Sequence, residues 1–154
     1  MIKHVWTIVS SKASIDTQSN NVSLFNVLEQ INIQDLVKPE FVLAFNFEVL
    51  TCWIRENPET PCKGRQRLAF IDPMNKQLAH IELDINLAQT ERARNRFQIN
   101  SLPLTIPGRY FFRTDLQIEG ESDWQTVNQY PLTVQFKTSP TEVEEAEVTA
   151  EAVR

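Results

Sequence analysis

A two-residue period constrains this chain more than any other feature. Ile81, Leu83, Ile85 and Leu87 alternate with His80, Glu82, Asp84 and Asn86. Successive side chains of a β-strand point to opposite faces, so this run has one aliphatic and one polar face. It predicts a half-buried antiparallel strand with Leu83 in the core. The same period sets Tyr110, Phe112, Thr114, Leu116 and Ile118 against Arg113, Asp115, Gln117 and Glu119. It recurs in Leu132, Val134 and Phe136, which makes Phe112 and Phe136 expected core residues as well.

Other segments are apolar on both faces. Val5 to Val9 and Phe41 to Ile54 read as central strands or as strands covered by a second sheet. Val22 to Ile33 reads as a strand with a bend at Asn26 or Glu29. Arg67 to Ile71 and Phe97 to Leu104 complete the set. Turn chemistry separates these runs: Asp16 to Asn21, Lys38-Pro39, Asn57 to Pro61, Asp72 to Asn75, Pro107-Gly108 and Glu119 to Asp123. The tight connection after Asp72 predicts a hairpin joining Arg67–Ile71 to Leu78–Leu87. No long window has a helical period, and Leu87 to Arg96 reads as a charged loop. About 7–9 short strands at this spacing predict an all-β fold, an antiparallel β-sandwich of immunoglobulin-like, Greek-key type.

A chain of 154 residues suits one domain. Its 42% hydrophobic content, with nine Phe, suffices for a core without a metal or crosslink. The sandwich is expected over residues 1–137. Residues 138–154 hold Glu142, Glu144, Glu145, Glu147 and Glu151 against Arg154, with no aromatic residue. Such a segment buries too little apolar surface to order itself, so an acidic, disordered tail is expected there.

The net charge is -5, and the tail accounts for all but one unit of it. A nearly neutral body offers no basic footprint, so no nucleic-acid partner is expected. No apolar run approaches the roughly 18 residues of a membrane span, so no membrane partner is expected either. The first apolar segment stops at Val9, too early for a secretory signal, and the expected compartment is the cytoplasm. Cys52 and Cys62 flank Pro58 and Pro61 and could face each other across a hairpin. In a reducing cytosol they read as two free thiols.

Catalytic patterns are sparse. The three glycines, Gly64, Gly108 and Gly120, are too dispersed to cradle a phosphate. A zinc site would need His4, His80, Cys52 and Cys62 from distant segments, without the local ligand pair such sites use. Gly120-Glu121-Ser122-Asp123 lacks the second glycine of a nucleophile elbow. Cys52, between apolar neighbours, reads as a small core hydrophobe. Glu82 and Asp84 share a strand face, where solvation explains them as well as paired-carboxylate chemistry does. Arg92, Arg94 and Arg96 cluster, but Glu91 offsets them and a solvated loop is the plainer reading. No catalytic, metal or cofactor-binding residue is therefore assigned, and no cofactor is expected. Trp53, Trp124 and Tyr130 are the rings that could form a ligand platform; Trp53 reads as core, which leaves Trp124, near a strand start, and Tyr130 as the candidate ligand-contact residues.

Two stretches are similar to a known group. Asn21-Val22-Ser23-Leu24-Phe25-Asn26-Val27 resembles an early N-x-S-L-x-x-V strand in small uncharacterised bacterial β-sandwich proteins. Pro107-Gly108-Arg109-Tyr110-Phe111-Phe112 resembles the P-G-x-Y-x-F entry to a late strand in that group and in many immunoglobulin-like sandwiches. Ile71-Asp72-Pro73 fits the same layout as a mid-chain turn. The resemblance implies the sandwich fold and carries over no activity and no site residue.

The expected function is a non-catalytic binding or protein-interaction module, with another protein as partner. The alternatives are a small-ligand or carbohydrate-binding domain using Trp124 or Tyr130, and an enzyme whose site is built from scattered loop residues. A deep polar pocket would favour the alternatives. A long exposed edge strand would favour the interaction module.

Overall fold

The alternating runs become strands in a computed structural model, which describes residues 1–34 and 40–137. Lys38-Pro39 and the predicted tail lie outside the described residues. Nine strands follow in chain order: β1 (Ile2–Ile15), β2 (Val22–Val27), β3 (Gln30–Gln34), β4 (Phe41–Arg55), β5 (Cys62–Ile71), β6 (Gln77–Leu87), β7 (Arg92–Leu104), β8 (Gly108–Ile118) and β9 (Gln125–Lys137). They form two sheets, ordered β2-β1-β4-β7 and β3-β9-β8-β5-β6. All pairings are antiparallel except β3 with β9, which is parallel. The fold is an all-β sandwich. The order β9-β8-β5-β6 matches the G-F-C-C′ order of a variable-type immunoglobulin sheet.

The bend expected near Asn26 or Glu29 is a change of sheet. Asn26 adopts φ 52°, a left-handed conformation that Asn tolerates better than most residues. Leu28 then donates its N–H to the Val9 carbonyl in the first sheet at 2.8 Å. Glu29, one residue on, accepts from Thr133 N–H in the second at 2.9 Å. The corner between β7 and β8 is held by Tyr110, whose Oη donates to the Ile106 carbonyl at 2.6 Å and accepts from Thr105 N–H at 2.9 Å. That is the tyrosine corner of immunoglobulin-type sandwiches.

Two apolar clusters fill the space between the sheets. The larger includes Val9, Phe47, Val49, Leu68, Phe70, Phe97 and Phe112. The smaller comprises Ile2, Trp53, Ile85, Leu87 and Leu116. A polar layer divides them, because several strands cross the boundary at a polar residue. Thr7 follows this rule on β1, Thr51 on β4, Gln66 on β5, Asn95 on β7 and Thr114 on β8. Gln66 Oε1 accepts from Thr51 Oγ1 at 2.8 Å, Asn95 Nδ2 at 2.9 Å and Trp53 Nε1 at 3.0 Å. Phe112 is buried as expected, and Phe136 is half-buried against Phe41 with ring centroids 6.0 Å apart.

Two expectations need correction. Leu83 is not a core residue: it is 37% exposed, and Ile81 is 43% exposed. Both lie on the inner face, opposite Gln66 and Leu68, but β6 is the last strand of its sheet. Alternation identifies the inner face, whereas burial also needs a facing strand. The segment Leu87 to Arg96 is not one charged loop, since β7 starts at Arg92. Arg94 and Arg96 instead tie down the β1–β2 hairpin. Arg94 Nη2 donates to the Asn20 carbonyl at 2.6 Å, and Arg96 Nη2 donates to Glu48 at 2.5 Å and to the Ala13 carbonyl at 3.2 Å. The hairpin thereby folds over the outer face of the first sheet. This accounts for the burial of Leu50 and Cys52 on that face.

Candidate functional site

β6 combines backbone valence with exposed apolar side chains. On its neighbour β5, the Lys63 carbonyl accepts from Glu119 N–H, on the β8 side. In an antiparallel ladder the N–H and C=O of one residue share a side, and the side alternates along the strand. Gly64, Gln66 and Leu68 therefore bond towards β6, and their partners Ile85, Leu83 and Ile81 bond back. His80, Glu82 and Asp84 must present their backbone groups to the outer edge. Asn95 Nδ2 confirms the direction by donating to the Asp84 carbonyl from β7 at 3.2 Å.

That contact also marks where the sandwich closes. Beyond Asp84, Arg55 Nε donates to the Leu87 carbonyl at 2.8 Å and its Nη2 to the Ala88 carbonyl at 3.0 Å. Before Asp84, β6 and β7 part and leave a groove of about 280 Å³. Leu68, Phe70, Ala79, Ile81, Ile99 and Leu102 line it. The open stretch of β6 contains no proline; Ile81 lines the groove, and Leu83, two residues on along the same face, is also exposed. Sequence alternation marked these residues as apolar, but nothing in the sequence marked β6 as an edge.

The outer face of the second sheet carries the charges. Asp115 is 1% exposed there. It is held by Arg67 Nη2 at 2.9 Å, Arg113 Nε at 3.0 Å and Thr126 Oγ1 at 2.8 Å. Arg65 pairs with Glu82. The Trp124 ring is half-buried under the Arg67 guanidinium, 4.5 Å from its centroid, with Arg65 at 5.9 Å. Cation–π attraction and the Asp115 ion pair thus hold one stack together. Beside it, a depression of about 450 Å³ is lined by Lys63, Arg65, Asp84, Asn86, Gln117 and Glu119.

Tyr130 is elsewhere. It pairs with Phe112, on the inner face of β9, and its Oη donates to the Leu28 carbonyl at 2.7 Å. Burial, and then the Glu29 charge, push its pKa up. Trp124 precedes Gln125, which pairs with Leu116, and its ring stacks on the outer face. The structure therefore does not bring the two rings into one platform.

Cys52 is not an activated nucleophile. Burial raises the Cys52 thiol pKa despite the nearby Arg92 and Arg94 charges, which keeps it protonated. Cys52 and Cys62 are both free thiols. His4 Nε2 meets Thr7 Oγ1 at 2.8 Å, but Thr7 is buried in the polar layer and also meets Thr114. His80 is exposed and meets Gln77 at 3.2 Å. Among the described residues, no three His, Cys, Asp or Glu side chains converge as a metal site.

No family model matches the chain, and no curated protein matches it in sequence. Among solved structures, the crystal structure of the C-terminal domain of wzt is similar over 97% of this chain and 84% of that one. The identity is 12% and the TM-score 0.49. A likeness of that degree carries no argument about ligand or activity.

Proposed function

We propose that this domain is a non-catalytic protein-interaction module that takes up an extended segment of another protein along β6. One observation carries the reading. β6 is an edge strand whose His80 and Glu82 backbone groups face outward beside exposed Ile81 and Leu83. Strand addition supplies affinity through main-chain hydrogen bonds and specificity through alternate side-chain pockets. The groove between β6 and β7 is the pocket available to an inward-pointing apolar side chain of the added strand. Edge strands not used for pairing are commonly blunted by proline, bulges or charge pointing inward. The stretch from Ala79 to Leu83 has none of these.

The test is hydrogen exchange on the domain bound to a partner recovered from its host. Slower exchange at the His80 and Glu82 amides, lost in a Leu83→Lys variant, is the expected result. Protection confined to other strands would overturn the reading.

A second reading, a small-ligand or carbohydrate site, is favoured by the polar depression that shares Arg65 with the Trp124 stack. Its side chains offer both donors and acceptors, and Arg65 links them to a ring, the combination that polyhydroxy ligands require. Titration with a glycan library, followed by Trp fluorescence, tests it. Quenching that disappears in Trp124→Leu but survives Leu83→Lys would favour this reading over strand addition.

A further inference from the structure

We infer that β6 pairs antiparallel with β6 of a second copy of this chain, with the two-fold axis at Ile81. The inference rests on the reading of β6 as a strand-adding edge and names one occupant for it. It is argued from register. Residues opposed across an antiparallel pair lie on the same face, so only registers that keep odd residues opposite odd residues match the apolar faces.

Centring on Ile81 sets His80 opposite the partner's Glu82 and Glu82 opposite the partner's His80. These are the residues whose N–H and C=O groups face outward, so each opposed pair exchanges two backbone hydrogen bonds. On the outer face an imidazole meets a carboxylate twice, and no like charges are opposed. On the inner face Ile81 meets the partner's Ile81, and Ala79 meets the partner's Leu83. The exposed apolar side chains thereby cover each other.

The registers centred on Glu82 and on Leu83 fail on charge, and centring on His80 opposes the two imidazoles and leaves Glu82 facing Leu78 instead of an imidazole. Centring on Glu82 opposes the two Glu82 side chains directly. Centring on Leu83 opposes Glu82 to the partner's Asp84 twice, and it requires the Asp84 carbonyl that Asn95 already engages. Like charges directly opposed across strands are destabilising. A contact of one short strand pair is at the small end of specific interfaces, so the dimer should be weak and concentration-dependent.

The experiment uses the full chain with Cys62→Ser, which leaves the buried Cys52 as its native thiol. Ile81→Cys is compared with Leu83→Cys under mild oxidation. In the inferred register the introduced thiols at Ile81 are directly opposed at a site without backbone hydrogen bonds. The Cα separation there is about 4.5 Å, within disulfide reach. Those at Leu83 are opposed to Ala79 and too far from each other. Both positions are exposed, so neither change unfolds the domain. A covalent dimer from Ile81→Cys in several-fold excess over Leu83→Cys is expected, together with concentration-dependent sedimentation of the unmodified chain. Equal crosslinking, an excess from Leu83→Cys, or monomeric sedimentation at the highest soluble concentration would overturn the inference. Partner-induced protection of the His80 and Glu82 amides in a monomeric protein would keep the strand-addition reading and remove self-pairing. Absence of both removes both.

Discussion

Thr7 Oγ1 and Thr114 Oγ1 lie 3.0 Å apart and hydrogen-bond directly between the two sheets. The pair sits between the two apolar clusters, at the level where Gln66 gathers Thr51, Trp53 and Asn95. A polar layer of this kind specifies how the sheets stack. Sliding one sheet by two residues would bury these groups against leucine and phenylalanine without partners, at a cost of about 1–3 kcal/mol each. Three consequences for stability can be measured, and a fourth concerns the edge.

Gln66→Leu removes the acceptor shared by three donors. The Thr51 hydroxyl would lose its acceptor in a closed space, whereas Trp53 Nε1 keeps Thr51 Oγ1 at 3.0 Å and Asn95 Nδ2 keeps the Asp84 carbonyl at 3.2 Å. The substitution is expected to lower the unfolding free energy by about 1–3 kcal/mol, read as a lower urea midpoint at unchanged slope. An unchanged or higher midpoint would mean that the polar layer adds nothing to stability.

His4 makes stability pH-dependent. Burial lowers its pKa from 6.5, although a backbone hydrogen bond at Trp6 opposes the shift. The unfolded chain therefore binds the proton more readily, and stability should fall as pH drops below 6.5 towards the folded value. Glu48 acts in a lower window. Burial raises its pKa, but the Arg96 hydrogen bond and charge and the Ala13 amide outweigh burial and leave it below 4.5. Its contribution is lost only as pH falls below 4.5. Urea midpoints across this range, for wild type and His4→Gln, separate the two: the variant should lose the upper slope and keep the lower one.

Gly64 has no room for a side chain. A Cβ there would lie 2.7 Å from the Gln117 carbonyl oxygen and 2.8 Å from Ile2 Cδ1. The first neighbour is backbone and cannot rotate away. Gly64→Ala should therefore cost about 1–3 kcal/mol through displacement of β8 from β5. A thermal midpoint equal to wild type would show that the strands separate freely.

Phe112 and Leu83 should respond to truncation to very different degrees. Phe112 packs between Phe47 and Phe70, at centroid distances of 5.8 and 4.9 Å. Phe112→Ala should cost about 3–5 kcal/mol. Leu83→Ala should stay within about 1 kcal/mol, because its side chain is already partly in water. Comparable losses would show that the seam between β6 and β7 is closed in solution.

The sequence by itself determined most of the strands and turns and the faces of the alternating runs, but not the start of β7 at Arg92 or the division of Val22 to Ile33 between two sheets. Period-two alternation is a property of the backbone, so Tyr110, Phe112, Leu116 and Ile85 could be placed on inner faces from the order of residues alone. The turn at Asp72 was equally legible. Its carboxylate accepts from Met74 N–H at 2.9 Å and Lys76 N–H at 2.8 Å, the local bonding that makes Asp a turn residue. Trp124 was legible as a ring near a strand start, but not its Arg67 and Asp115 stack, which joins residues nearly sixty positions apart. Only the tertiary structure decided which strands end a sheet, and with that whether an inner face is covered. Ile81 and Ile85 have the same local pattern, yet Ile85 is buried and Ile81 stands open. The difference is that β7 reaches one and not the other. Sheet order and the folding of the β1–β2 hairpin over Leu50 and Cys52 follow from contacts between distant segments, and no local period encodes them.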